Sequence, residues 1–275
     1  MDEGSMRDPG EEFLALLEVV RELRERCPWD REQTLATASR HLIEEAYETA
    51  DAIERGGDRE IDDELGDLLV QVLFAGNIAE EQRGLPIAAM LRRAREKLVR
   101  RHPHVYAGAA AQSSAEVVRN WDKLKQQERA DAGATSALDG VARALPALTR
   151  AQKLGERARG AGMDWAQASA VLDKVGEEIT EARAALARDD RDHAAEEIGD
   201  AILALANAPR FIGHDAETTL RRACDKFIAR FKAVEQAAAA RKLDLTKLDP
   251  QQIENLWQEA KRSFPEAKRS FVDNK

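Results

Sequence analysis

Two groups of four carboxylates stand at matched spacing in this chain. In the first, Glu45 and Glu48 lie three apart and are followed by Glu64 and Asp67, again three apart. In the second, Glu178 and Glu181 are followed by Glu197 and Asp200. Each member of the second group lies 133 positions after its counterpart in the first (45 and 178, 48 and 181, 64 and 197, 67 and 200). Residues three apart share one face of a helix, so two such helices folded back on each other would aim four carboxylates at one place. Four negative charges that close repel one another unless a cation joins them. Oxygen-only ligands select a hard ion, Mg²⁺ first and Mn²⁺ second. Acidic runs also form plain solvated helix faces. The pairing, its repetition without a gap and the apolar run after each second half (Leu68-Leu69-Val70 and Ala201-Ile202-Leu203) favour the metal.

A cation held by carboxylates can bridge phosphate oxygens, and phosphate also needs positive side chains nearby. Lys226 and Arg230 are four apart on one helix face, and Lys97 with Arg101 repeats the pair 129 positions earlier. Arginine grips phosphate with two donors and lysine acts as a point charge. Lys174 stands one turn before Glu178; its counterpart is His41, a weaker cation at neutral pH. Asn207, two turns after Asp200, could hold a ribose hydroxyl, or could be buried and satisfied by backbone. Trp257 and its repeat partner Trp121 could stack on a base or pack in the core. Trp29 and Trp165, at helix starts, read as structural plugs. The Glu-x-x-His motif of di-iron bundles, the P-loop and the Gly-rich dinucleotide fingerprint are all absent. His102-Pro103-His104 reads as the end of a helix rather than a metal site.

The elements that must carry these residues are helices. Apolar periodicity and caps predict a first helix through Leu23 to near Cys27-Pro28. A second starts at an Asp30/Gln33 capping box and runs to about Arg55. A third, after Gly56-Gly57, runs to about Arg83. A fourth runs to about Arg101, and a fifth spans about 115–130. The second half repeats the order, from an Asp164/Gln167 capping box through helices at about 166–188, 191–211, 215–241 and 250–263. No strand pattern stands out. The expected organisation is all-α: an N-terminal domain over 1–131, a linker within 131–136, a second domain over 138–263 and a tail over 264–275. The extreme ends, 1–10 and 265–275, are expected to be disordered. A hairpin with acids on its inner face cannot bury itself alone, so it should pack against a second hairpin, from the other half or another chain, as a four-helix bundle.

Composition agrees. The 275 residues are rich in Ala, Leu, Glu and Arg and poor in aromatics and proline, a helix-favouring mixture. The net charge of −9 argues against a general nucleic-acid surface and against an anionic membrane. The two cysteines, Cys27 and Cys224, have no metal-type spacing, which fits a reducing cytoplasmic setting. No apolar stretch approaches bilayer length, and Met1-Asp2-Glu3-Gly4-Ser5 lacks the character of a signal peptide.

With these residues in view, the chain resembles the MazG family of nucleoside triphosphate pyrophosphohydrolases in its two-domain form, over about 12–263. The points of likeness are Cys27-Pro28-Trp29-Asp30, both acidic motifs, Arg100-Arg101-His102-Pro103-His104-Val105 and Ala151-Gln152-Lys153. The resemblance implies a fold shared with dimeric dUTPases and phosphoribosyl-ATP pyrophosphohydrolases. It also implies Mg²⁺-dependent cleavage of nucleoside triphosphates to monophosphate and pyrophosphate, with broad base tolerance, and a homodimer. Carried over, Glu178, Glu181, Glu197 and Asp200 would hold Mg²⁺ in the second half, and Glu45, Glu48, Glu64 and Asp67 in the first. Lys174, Lys226, Arg230 and Trp257 match positions near the nucleotide, and a loop from His193 to Glu196 would line the pocket. Glu177 or Glu178 would orient or deprotonate the attacking water. The second half would be the main catalytic unit, although the first keeps all four acids. A narrow hydrolase for dUTP or a damaged nucleotide, and a non-enzymatic helical binding module, are the alternatives.

Overall fold

The computed structural model describes residues 8–108 and 113–263, and all regular structure among them is helical. The chain divides into two compact units, one through Trp121 and the other from Asp122.

The first unit opens with α1 (Pro9–Arg26), which starts where the Asp8 carboxylate accepts the Gly10 N–H at 2.8 Å. After a short α2 (Pro28–Glu32), the long helices α3 (Leu35–Arg55) and α4 (Asp58–Arg83) form a hairpin. Gly56 turns the chain between them at φ +78°, a backbone conformation only glycine adopts freely. The Thr49 hydroxyl, buried between the two helices, donates to the Glu64 carbonyl at 3.1 Å and fixes their register. α1 packs on α4, and Leu17, Val20, Leu73 and Ile87 form the core there. Ile87 belongs to α5 (Ile87–Arg101), which is followed by a short α6 (Pro103–Tyr106) and by α7 (Ser114–Asp131).

The second unit contains α8 (Ala147–Gly160), the hairpin of α9 (Ala168–Ala187) and α10 (Arg191–Leu205), then α11 (Ala216–Ala240) and α12 (Pro250–Ser263). Asp189, at φ +55°, makes the turn that Gly56 makes in the first unit, 133 positions earlier. α8 touches both α10 and α11 through Ala151, Ala206 and Ala216. A separate core of Val234, Ala238, Leu256 and Ala260 joins α11 to α12.

Several expectations are corrected. Neither predicted capping box exists. Asp30 lies in α2 with its carbonyl gripped by the buried Arg24, and Thr34 caps α3 in a reciprocal pair with Thr37. Asp164 is drawn instead to Arg210, with Oδ2 3.1 Å from Nη1, and Gln167 caps α9 without a side-chain bond. The helix expected over 191–211 ends at Leu205, and Pro209, which has no N–H to donate, opens a 3₁₀ turn over Pro209–Ile212. α8 was not foreseen. Residues 8–10 open α1 rather than lying disordered, while 1–7 and the tail 264–275 fall outside the described residues. Trp29 is no plug, being 60% exposed beside the edge of His41.

Candidate metal centre

Each hairpin gathers carboxylates at one spot. In the first, one oxygen each from Glu45, Glu48 and Glu64 lie within 4.8 Å of one another. Burial and the negative charges of Glu48, Asp67, Glu64 and Glu44 push the Glu45 carboxyl above its ordinary range. Glu64 is raised in the same way, by burial and then by Glu48, Asp67 and Asp63, with Arg55 opposing. Asp67 thus adds charge to the cluster without joining the three converging oxygens. His41, at the place of Lys174, has Nδ1 3.6 Å from Glu44.

In the second hairpin, Glu178, Glu197 and Asp200 converge within 4.8 Å. Glu178 is 6% and Glu197 9% exposed, so these are buried acids. Here a cation is already present. Lys174 Nζ lies 2.6 Å from Glu178 Oε1 and 3.2 Å from Glu177 Oε2. That pairing holds the ammonium firmly charged and, with a hydrogen bond shared with Glu197, pulls the Glu178 carboxyl down. Glu197 moves the other way: the bond to Glu178, burial and the charge of Glu181 all raise it. Glu181 therefore acts on the cluster electrostatically and is not one of its three closest members. His193 Nδ1 sits 3.4 Å from Glu197 and 4.0 Å from Glu196. The stretch from His193 to Glu196 is the first turn of α10, not a loop, because the Asp190 side chain accepts the His193 N–H and starts the helix there.

Oxygen-only donor sets of clustered carboxylates fit a hard divalent ion. Acids without a counter-charge stay close only at a cost in repulsion, and a bound cation removes that cost.

The basic residues sit on other elements. Lys226 is exposed on α11, and Arg230 is partly buried, with its Nε enclosed and without a hydrogen-bond partner. Among the described residues no ion pair joins either to the acids. α11 is aimed by α8. Gln152 accepts the Ala216 N–H at 2.7 Å, and the Thr149 hydroxyl donates to Glu217 at 3.2 Å. In the first unit Lys97 is exposed on α5, and Arg101 lies over the Trp121 ring at 5.4 Å, with His102 4.7 Å from the same ring. Trp257 tilts against Phe227 at 5.4 Å and packs on the α11–α12 core. Asn207 is not brought to the acids. It is 2% exposed, donates to the Leu203 carbonyl at 3.0 Å, accepts from Arg210 Nε at 3.3 Å, and fills the space left by Gly155. With both ends engaged, it has no free edge for a sugar hydroxyl. The sequence reading missed Gln152 as a positioning residue; its place in the Ala151-Gln152-Lys153 string was the available signal.

The MazG nucleotide pyrophosphohydrolase domain matches this chain twice, at residues 33–106 and 167–235. These stretches contain both acid sets, both Lys/Arg pairs and Lys174. A nucleoside triphosphate pyrophosphohydrolase of Escherichia coli K12 is 42% identical over 254 residues, 91% of this chain and 96% of that protein. A nucleoside triphosphate pyrophosphohydrolase/pyrophosphatase MazG of Thermotoga maritima is 35% identical over 258 residues, 93% of this chain and 98% of that one. A crystal structure of a mazG-related protein from Thermotoga maritima aligns with a TM-score of 0.38 at 24% identity, covering 41% of this chain and 97% of that one.

Proposed function

The chain belongs to the MazG nucleotide pyrophosphohydrolase family, and from that premise we propose that it hydrolyses nucleoside triphosphates to monophosphate and pyrophosphate with Mg²⁺. The observation that carries the reading is the convergence of three carboxylates in each of two repeated hairpins. Glu178, Glu181, Glu197 and Asp200 would hold the ion in the second unit, and Glu45, Glu48, Glu64 and Asp67 in the first. When bound, Mg²⁺ would polarise a phosphoryl oxygen and neutralise the leaving pyrophosphate.

The chain's own residues do the rest. Glu177, exposed beside the cluster, or Glu178 within it would orient or deprotonate water. Lys226 and Arg230, one turn apart on α11, would hold phosphate charge, with Lys97 and Arg101 in the matching place in the first unit. His193 and Glu196 flank Glu197 at the start of α10 and would line the nucleotide side. Trp257, and Trp121 in the first unit, offer a flat ring that could stack on any base, in keeping with broad base tolerance. The second domain, 138–263, is taken as the main catalytic half because its cluster pairs Glu178 with a lysine, Lys174.

A homodimer is part of the same reading. Ile198, Ile202 and Leu205 are exposed along one face of α10, and Leu65, Leu69 and Val72 repeat that face on α4. A second copy packing hairpin on hairpin would cover such faces as a four-helix bundle. No helix among the described residues is long and apolar enough to cross a membrane. Both cysteines are free, which supports a cytoplasmic setting.

The test is the product pair. Ribo- and deoxynucleoside triphosphates incubated with Mg²⁺ and resolved by anion exchange should give monophosphate and pyrophosphate. Diphosphate with orthophosphate would overturn the reading.

A further inference from the structure

The two acidic clusters differ in one respect that their shared motif does not predict. In the second, the lysine ammonium sits 2.6 Å from an oxygen of Glu178, the most buried acid of the set. In the first, the matching residue is His41, which reaches Glu44 and not Glu45. The first cluster is therefore left with its repulsion, while the second has an internal cation.

Glu178 cannot serve both the ammonium and a divalent ion with the same oxygen. Two positive charges brought to one carboxylate repel each other, and the divalent ion carries the larger charge and meets three acids where the ammonium meets two. Lys174 can yield. Its side chain is 43% exposed and rides on a flexible four-carbon stem. Building on the proposed metal site, we propose that Lys174 is the resident counter-ion of the metal-free second cluster. A divalent ion displaces it from Glu178, and the freed ammonium then turns to the polyphosphate of the bound triphosphate. Metal loading thereby creates a phosphate-binding charge that the metal-free site keeps occupied. By linkage, the lysine must weaken metal binding by the same factor with which metal weakens the lysine's hold.

Two measurements on the full chain, both without nucleotide, test this. The first is amine labelling read by peptide mass spectrometry on the wild-type protein. An ammonium held between Glu177 and Glu178 reacts slowly, so saturating Mg²⁺ should raise modification of Lys174 severalfold relative to Lys242, and should not do so in Asp200→Asn. Unchanged or reduced labelling of Lys174 with Mg²⁺ would overturn the exchange. The second is Mn²⁺ titration followed by the paramagnetic resonance of the free ion. Lys174→Met should tighten the site that Asp200→Asn abolishes, by about tenfold, and Lys174→Arg, which keeps the charge, should restore affinity close to wild type. Equal or weaker Mn²⁺ binding in Lys174→Met would reject the exchange while leaving the metal site standing. A wild-type protein with no Mn²⁺ site sensitive to Asp200→Asn would remove the metal site itself, and the exchange with it.

Discussion

The side-chain oxygen of Gln152 lies 2.7 Å from the backbone N–H of Ala216. A residue of α8 thus satisfies one of the donors that the start of every helix leaves open, and it does so for the helix that carries Lys226 and Arg230. Gln152→Leu should lower stability by about 1 kcal/mol, the usual worth of such a bond. The freed start of α11 should also raise KM for triphosphates more than it lowers kcat. Denaturation and steady-state kinetics on the same variant check both halves.

The two clusters should differ in importance. Asp200→Asn removes a converging carboxylate charge from the cluster that also has Lys174, and should cost about 100-fold or more in kcat/KM, as loss of a group that stabilises charge at the reacting centre does. Glu45→Gln removes a converging carboxylate of the first unit, the counterpart of Glu178, and should cost less than about tenfold. Pyrophosphate release by the two variants decides, and a reversed order would move the main site to the first unit.

Much of this was legible in the residues, and the failures have physical causes. The long hairpin helices could be read because a run of more than a dozen residues with apolar periodicity allows few alternatives. The caps could not. Asp30 and Asp164 look like helix starters, but Arg24 and Arg210 hold them in tertiary contacts that no local pattern shows. α8 carries a clear apolar face although Ala151 is its one buried residue, so its signal was present in the sequence. Spacing placed the acids on one face without fixing which would converge: the third member is Glu48 in one hairpin and Asp200 in the other. The Lys174 contact with Glu178, which has no counterpart on Glu45, is a difference that only the packed structure contains.

The pH dependence of metal-free stability follows from Glu45 and Glu64. Both folded pKa values lie above the ordinary carboxylate value of about 4.3, through burial and neighbouring acids. Between the unfolded value and the raised folded values the folded chain binds more protons, so stability falls as pH rises through that window and stays low above it. Glu45→Gln should therefore raise the neutral-pH melting temperature of the metal-free protein by about 1–2 °C, and flatten part of that slope. Saturating Mg²⁺ should cancel the gain, since the ion relieves the same repulsion. Calorimetry at several pH values, with chelator and with Mg²⁺, reads the sign.

Asp189 holds a left-handed turn at φ +55° where the first unit uses Gly56. Such a conformation strains an L side chain, though aspartate tolerates it better than most. Its side chain forms an exposed ion pair with Arg191 at 3.3 Å, and such pairs contribute little. Asp189→Gly should stabilise the α9–α10 hairpin by up to about 1 kcal/mol with activity unchanged. A denaturant midpoint below wild type would mean that the ion pair matters more than the strain.

Trp257 carries two demands at once. One side of its ring rests on Phe227 and on the Val234, Ala238, Leu256 and Ala260 core, and Lys261 stands 5.8 Å over the ring. Removing the ring leaves a gap where α11 meets α12, so Trp257→Ala should cost about 2–3 kcal/mol, below the figure for a fully buried tryptophan because the ring is only half enclosed. The proposed stacking role predicts a separate effect. In the folded fraction, KM should rise by a similar factor for every base, corresponding to roughly 1–3 kcal/mol. Trp257→Phe separates the two: it keeps a stacking surface while removing part of the packing. It should restore KM more fully than stability. Equal KM for wild type and Trp257→Ala, alongside the loss of stability, would leave Trp257 a core residue and remove it from the nucleotide site.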